Sequence, residues 1–524
     1  MIELDGESLN IEQLVAVARQ DATVAPLGEA VRARMQRTQE WVEEAIRTPG
    51  RVIYGVNTGF GSLATQQIEV GEARQLSRNL ILTCLTGVGP PLVRDVVRAM
   101  MVIRANMQAK GLSGVRPVVA QTILDALNAG VTPRVPSKGS LGASGDLAPL
   151  AHIAAVLTRD DGDGDGGYSG QAWLGTELLS GAEAMARAGI DRLVLGAKEG
   201  LSLSNGMDMM VACGALAVHD GENLLRHAEI AAALSLEASL GLSSGFNPAL
   251  HAAAGQPGQM QTAANILTLT EGSQLLDSLP ERVQDAYSLR CIPQVLGPIR
   301  DTLMFLRGRF AAALNATTDN PIILPDESGA TFTAVSGGNF HGQGPAMWLD
   351  FLGIALAEVA SIAERRVFRL LTPELSGGLP PMLVRGSGLD SGLMMVQYTA
   401  AALVSDNKTL AHPDSVDSIP SCANQEDHVS MGANAARHAL EIVDNVRYVI
   451  AIELVTAAQA IDLRSEGPSR LGRGTAAAFA TVREHVAFLH HDREMSHDIE
   501  ALVDLMKTGD LLESTYAALG ERLA

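Results

Sequence analysis

The chain has 524 residues, 47% of them hydrophobic, and carries 39 Lys and Arg against 59 Asp and Glu, a formal net charge of −20. That much apolar material supports a large buried core, and charged residues at 19% exclude a disordered, tail-like chain. The acidic balance and an aromatic content of 4% exclude a general nucleic-acid or anionic-membrane surface, which needs a basic field and stacking rings.

Cys84, Cys213, Cys291 and Cys422 are scattered without a CxxC pair, so neither a zinc-knuckle nor a redox motif is present. The opening MIELDGESLN has no basic segment followed by an apolar run, and the expected location is the cytoplasm. Asp350, Glu358, Asp444 and Glu453 interrupt the longest apolar stretches, so no membrane span is expected.

In chain order, the first informative loop is Tyr54–Leu63, YGVNTGFGSL, rich in Gly and polar residues. It is neither GxGxxG nor a P-loop, and no strand–loop–helix unit surrounds it. Next comes SLGASGDLAPL, 140–150, where Asp146 precedes an apolar run as a helix cap would. It is not a hydrolase elbow, because the second Gly of GxSxG is replaced by Asp146. The run RDDGDGDGG, 159–167, matches the first half of an EF-hand loop through Asp161, Asp163, Asp165 and Gly166. Ala172 stands where the bidentate Glu is required, so a solvated connector is expected there.

Apolar spacing of three to four residues predicts long helices over about 207–240, from Pro345 to 371, and over 434–463. Between them lie QDAYSLRCIPQ (284–294), SGGNFHGQ (336–343) and SIPSCANQEDHVSM (418–431). His485, His490, His491 and His497 lack the spacing of a metal site, and no metal is expected. The expected fold is mainly α, with a smaller N-terminal region, 1–200, and a long-helix bundle region, 201–524. Helices this long, apolar on more than one face, bury themselves against several neighbours, and an oligomer is expected.

Ala143, Ser144 and Gly145 suggest a particular chemistry. A small-small-Gly tripeptide in a strained loop lets the Gly145 nitrogen approach the Ala143 carbonyl, because no Cβ stands in the way. Cyclisation and loss of water would give 4-methylideneimidazole-5-one (MIO), an electrophile with an exocyclic methylene from Ser144.

Eight collinear segments resemble the aromatic amino acid lyase family: YGVNTGFG, GLSGVRP, GSLGASGDLAPLAH, KEGLSLSNG, QDAYSLRCIPQ, TDNP, SGGNFH and NQEDHVSM. They cover nearly the whole chain, and GSLGASGDLAPLAH alone is highly specific. The resemblance implies one continuous, nearly all-helical lyase unit with the self-formed MIO group. It also implies a homotetramer whose active sites collect residues from three subunits, with a small aromatic amino acid as substrate and neither metal nor nucleotide.

By motif, the resemblance assigns Ala143, Ser144 and Gly145 to the ring and Tyr54 to removal of the β-proton. Arg290 would clamp the substrate carboxylate with a planar fork. Tyr287, three positions earlier, would share its face on a helical turn. Asn205 and Gln284 would orient ring and substrate, Phe340 would pack beside the ring, and Glu426 would sit at the far end of the pocket. The implied reaction is an α,β-elimination of ammonia to a trans-arylacrylate.

For the substrate, NQEDHVSM and QDAYSLRC resemble the histidine enzymes most, and Glu426 suits an imidazole N–H. LILTCLTGVG departs, placing Cys84 and Leu85 where those enzymes carry His, and Met207 stands in place of a usual Thr. An apolar wall of Cys84 and Leu85 would suit phenyl better than phenol. Histidine is the expected substrate, and phenylalanine, tyrosine and an aminomutase outcome are the alternatives. A non-catalytic scaffold is disfavoured because Tyr54, Ser144, Tyr287 and Arg290 are all retained.

Overall fold

The computed structural model describes residues 1–162, 168–329, 331–386, 388–465 and 467–523. Asp163, Asp165 and Gly166 of the acidic run therefore lie outside the described residues. Helices dominate, and the predicted long ones run Asp208–Ala238, Gln343–Leu371 and Gly432–Leu463. A further long helix, Ile292–Ala313, has no counterpart in the sequence reading, because Gly297 and Pro298 interrupt its periodicity. The helix Gln343–Leu371 is long and apolar enough to cross a membrane by length and composition, despite Asp350 and Glu358. Most of its apolar stretch is buried, as in a core helix.

The chain forms two compact units assembled from alternating stretches: 1–216, 307–350 and 413–437 in one, and 217–306, 351–412 and 438–524 in the other. Four of the five boundaries fall inside the four long helices rather than in loops. The contiguous division at residue 200 therefore does not coincide with either unit. The unit carrying the 140–146 loop is not confined to the N-terminal part, since it recruits 336–343 and 418–431.

That unit is built on the helix Arg94–Ala109, buried throughout from Val96 to Ala109. The helices Ile11–Arg19 and Pro117–Asn128 pack on it. Asn10 and Gln13 close a capping box at the start of the first, and Pro117 opens the second, where its missing N–H costs nothing. A three-stranded antiparallel sheet, Val131–Pro133, Gln171–Leu174 and Glu177–Ser180, pairs Thr132 with Trp173 and Trp173 with Leu178. The hairpin Ile322–Pro325/Phe332–Val335 delivers the following SGGNFH segment, and Ile323 anchors it among Trp41, Val42 and Ile46.

In the other unit the inner faces of the long helices bury Ala, Leu and Ile almost completely. Arg366 and Glu453 are fully buried there, paired through Arg366 Nη2 at 2.8 Å, with Ser235 Oγ donating to the same carboxylate at 2.7 Å.

Candidate active site

In the first unit, GSLGASGD forms a tight turn that precedes the helix Leu147–Leu157. Gly145 N–H donates to Gly142 C=O at 3.2 Å, and Ser144 between them has φ 52°. Positive φ is costly for a residue with a Cβ, so the surroundings must impose it. A Cβ at Gly145 would collide with the Gly206 carbonyl and lie 3.0 Å from that of Phe340, so only glycine fits.

Asn205 follows the short helix Glu199–Ser204, and its Nδ2 donates to the Ser144 carbonyl at 3.0 Å. Its Oδ1 is buried without a hydrogen-bond partner. Asp146 is completely buried. Contrary to expectation, its side chain does not cap the helix Leu147–Leu157 that follows it. The carboxylate instead accepts the N–H groups of Met209 (2.9 Å) and Met210 (3.1 Å), in the first turn of the helix Asp208–Ala238. Burial raises its pKa from the usual carboxylate range to about 7, against the lowering pull of those two N–H groups.

A cavity of about 620 Å³ opens beside the turn, and its wall includes Tyr54, Ala143, Ser144, Asn205, Phe340 and Glu426. Gly61 N–H donates to the Tyr54 phenol oxygen at 3.0 Å. Ser421 Oγ donates to Glu426 Oε2 at 2.9 Å, and Ser144 Oγ lies 3.5 Å from its Oε1. Glu426 thus faces the tripeptide from a loop in which Cys422, Ala423 and Asn424 all have positive φ. Cys422 Sγ accepts the Ser62 N–H at 3.3 Å and packs on Gly61, tying this loop to the one that carries Tyr54.

Cys84 and Leu85 follow the helix Ala73–Thr83 and are half-buried, but they do not line this cavity; Leu80, one turn earlier, does. The helix ends at Thr83, so Cys84 and Leu85 leave the face that Leu80 presents to the cavity, which a linear reading of LILTCL cannot resolve. Cys84 still senses the site: burial, then the Glu426 charge, raises its thiol pKa to about 11. Sequence reasoning missed Leu80, Cys422 and His341 as lining residues. The His341 ring stacks on His428 with centroids 5.5 Å apart.

Gln284, Tyr287 and Arg290 belong to the other compact unit, where they cluster as the i, i+3 spacing predicts. The helical turn Tyr287–Arg290 puts the guanidinium 4.7 Å from the Tyr287 ring centroid. With its amide oxygen turned toward the guanidinium, Gln284 accepts from Arg290 Nη2 at 3.0 Å. Tyr287 is 71% exposed in the single chain.

The residues around the turn fit an MIO group: a Cβ-free Gly145 held against Gly206, a tight turn closed by the Gly145–Gly142 hydrogen bond, and an Asn205 amide with a free buried acceptor. Among the described residues, no three His, Cys, Asp or Glu side chains are grouped as a metal site requires.

The family model for aromatic amino acid lyases matches residues 9–484. A histidine ammonia-lyase of Gloeobacter violaceus is 49% identical over 519 residues, 99% of this chain and 98% of its own. The crystal structure of histidine ammonia-lyase from Trypanosoma cruzi aligns with a TM-score of 0.88 at 36% identity, covering 99% of this chain and 95% of that one. Tyrosine aminomutase from Streptomyces globisporus aligns at 0.91, also at 36% identity, over all of both chains. A match that spans the chain from end to end, over a fold whose small-residue turn sits beside Tyr54, Asn205 and Glu426, leaves one conclusion: the chain belongs to the aromatic amino acid lyase family.

Proposed function

We propose that this chain is an ammonia-lyase converting L-histidine to urocanate, working as a cytoplasmic homotetramer. The observation that carries the reading is the convergence of Tyr54, Ser144, Asn205 and Glu426 on one cavity. Similarity to histidine ammonia-lyases over the whole chain supports the substrate.

In this reading Ala143, Ser144 and Gly145 hold the MIO group, which supplies an electrophile that makes the substrate's amino group a better leaving group. Asn205 orients the tripeptide through its bond to the Ser144 carbonyl. Tyr54 takes the β-proton at its phenol oxygen, which the Gly61 N–H holds in place. Glu426 accepts the imidazole N–H, and its own carboxylate is fixed by Ser421. Phe340 walls the cavity beside the tripeptide. Arg290, steadied by Gln284, binds the substrate carboxylate with its fork, and Tyr287 reaches a site shared between subunits.

Incubation with His, Phe and Tyr, with the arylacrylates followed in the ultraviolet and β-amino acids by chromatography, tests the reading. Urocanate as the main product supports it. Cinnamate or coumarate as the main product moves the substrate to phenylalanine or tyrosine, and β-amino acids make the enzyme an aminomutase.

A further inference from the structure

Among the described residues of the first unit, Arg104–Asp208 and Lys198–Asp319 are fully buried ion pairs, the latter at 2.7 Å. Removing charges from water costs more than their attraction returns in many proteins, so a buried pair is weak evidence of stability. Its geometry is the better guide to its use.

Arg104 lies on the helix Arg94–Ala109 and is 1% exposed. Its Nη1 donates to the carbonyls of Ser202 (2.9 Å) and Asn205 (2.8 Å). These oxygens lie at the C-terminal end of the helix Glu199–Ser204, where no intrahelical donor remains. Its Nη2 pairs with Asp208, the first residue of the helix Asp208–Ala238. One guanidinium therefore joins the end of one helix to the start of the next. The connector between them has no slack, since a Cβ on Gly206 would lie 2.5 Å from Nη2.

The other side of that connector holds the reactive turn. Asn205 Nδ2 reaches the Ser144 carbonyl, and Gly206 C=O accepts the Asp146 N–H at 2.6 Å. Asp146 in turn accepts from the helix that Asp208 begins. We propose that Arg104 and Asp208 are positioning residues that hold Asn205 and Gly206 against Ser144 and Asp146, and so set the geometry in which Ala143–Ser144–Gly145 can close. The inference rests on the reading of that tripeptide as the MIO precursor. Arginine suits the place because its two terminal nitrogens divide the work, Nη1 on two carbonyls and Nη2 on the carboxylate, whereas an ammonium would have to meet all three acceptors from a single nitrogen.

The test compares purified wild type with Arg104→Lys, which keeps the charge and loses the fork, and Asp208→Asn, which keeps the shape and loses the charge. Three readouts are taken on the folded full-length proteins: water loss from the tryptic peptide holding residues 143–145, hydrogen exchange of the Asp146 amide, and kcat against KM. The expected result is incomplete water loss, Asp146 exchange faster by at least ~10-fold, and a kcat that falls far more than KM changes. Complete water loss with wild-type kcat and Asp146 protection in either folded variant overturns the proposal. A measurement on wild type alone stands beside these: its Asp146 amide should exchange as slowly as core amides of the helix Arg94–Ala109, and fast exchange also overturns it. An active wild type with no water loss would instead sink the MIO reading, while the exchange data still decide the role of Arg104.

Discussion

Gly61 N–H donates to the phenol oxygen of Tyr54 at 3.0 Å, so the loop that carries this tyrosine also fixes its reactive atom. The phenol hydrogen is left to point elsewhere in the cavity. If Tyr54 is the base, Tyr54→Phe should lower kcat by ~100- to 10,000-fold with a small change in KM, measured by product absorbance. Gly61→Ala should damage the same function from the backbone, since Gly61 has φ 54° and its new Cβ would overlap Cys422 Sγ. Cys422→Ala in that background should recover part of the loss by removing the overlap.

If Ser144 supplies the methylene of an MIO group, Ser144→Ala removes its source while leaving the turn's length unchanged. Wild-type intact mass should fall short of the sequence mass by two waters, and the variant should lack the dehydration that Ser144 provides. Activity should vanish while the helical circular dichroism stays. Full activity in the variant would remove Ser144 from the chemistry.

Cys84 lies within the field of Glu426 but not on the cavity wall, and its raised thiol pKa of about 11 keeps it protonated at neutral pH. Iodoacetamide should therefore label it slowly at pH 8, and Glu426→Gln should speed labelling modestly, because burial is the larger cause. Glu426→Gln should cost histidine ~1–3 kcal/mol, about 10- to 100-fold in kcat/KM, and phenylalanine much less. Because Cys84 lies off the cavity wall, Cys84→His tests whether a longer polar side chain there reaches the ring: if it does, activity on imidazole or phenol substrates should rise relative to phenyl. Equal losses on every substrate would show that neither residue reads the aromatic ring.

Asp146 titrates at about 7 in the folded chain against 3.8 ordinarily. A folded pKa above the unfolded one favours the fold while the group is protonated. Its contribution is complete below pH ~4 and is lost as pH rises toward 7. Asp146→Asn should remove this slope, flattening the stability profile between pH 4 and 7 by up to roughly 4 kcal/mol, read from denaturant midpoints. An unchanged slope would mean that Asp146 is not the titrating group.

On the second unit, Phe305, Phe351 and Ile354 are between 42% and 50% exposed and line an apolar groove of about 810 Å³. If a homotetramer covers it, light scattering should give four chains, and Phe351→Glu should shift the population toward smaller species with a parallel loss of activity. A fully active monomer at assay concentration would contradict the assembly.

The sequence by itself determined the elements whose signals are local. Three-to-four spacing located the helices of 31, 29 and 32 residues to within about two residues at each end, because apolar periodicity is a property of neighbouring positions. The Tyr287–Arg290 turn was legible from its own i, i+3 spacing, whereas the need for glycine at position 145 comes from the distant Gly206 and Phe340 carbonyls. The tertiary structure decided everything that depends on separated segments. Asp146 caps the helix Asp208–Ala238 rather than its own, and Leu80 rather than Cys84 lines the cavity. Arg104, which sequence alone reads as one more charge on a helix, proves to be buried against residues about a hundred positions away. The compact units likewise interleave along the chain, because long helices continue from one into the other and a contiguous reading cannot see where their contacts change. Hydrogen-bond partners and burial are set by which distant segments share a volume, and no local pattern encodes that.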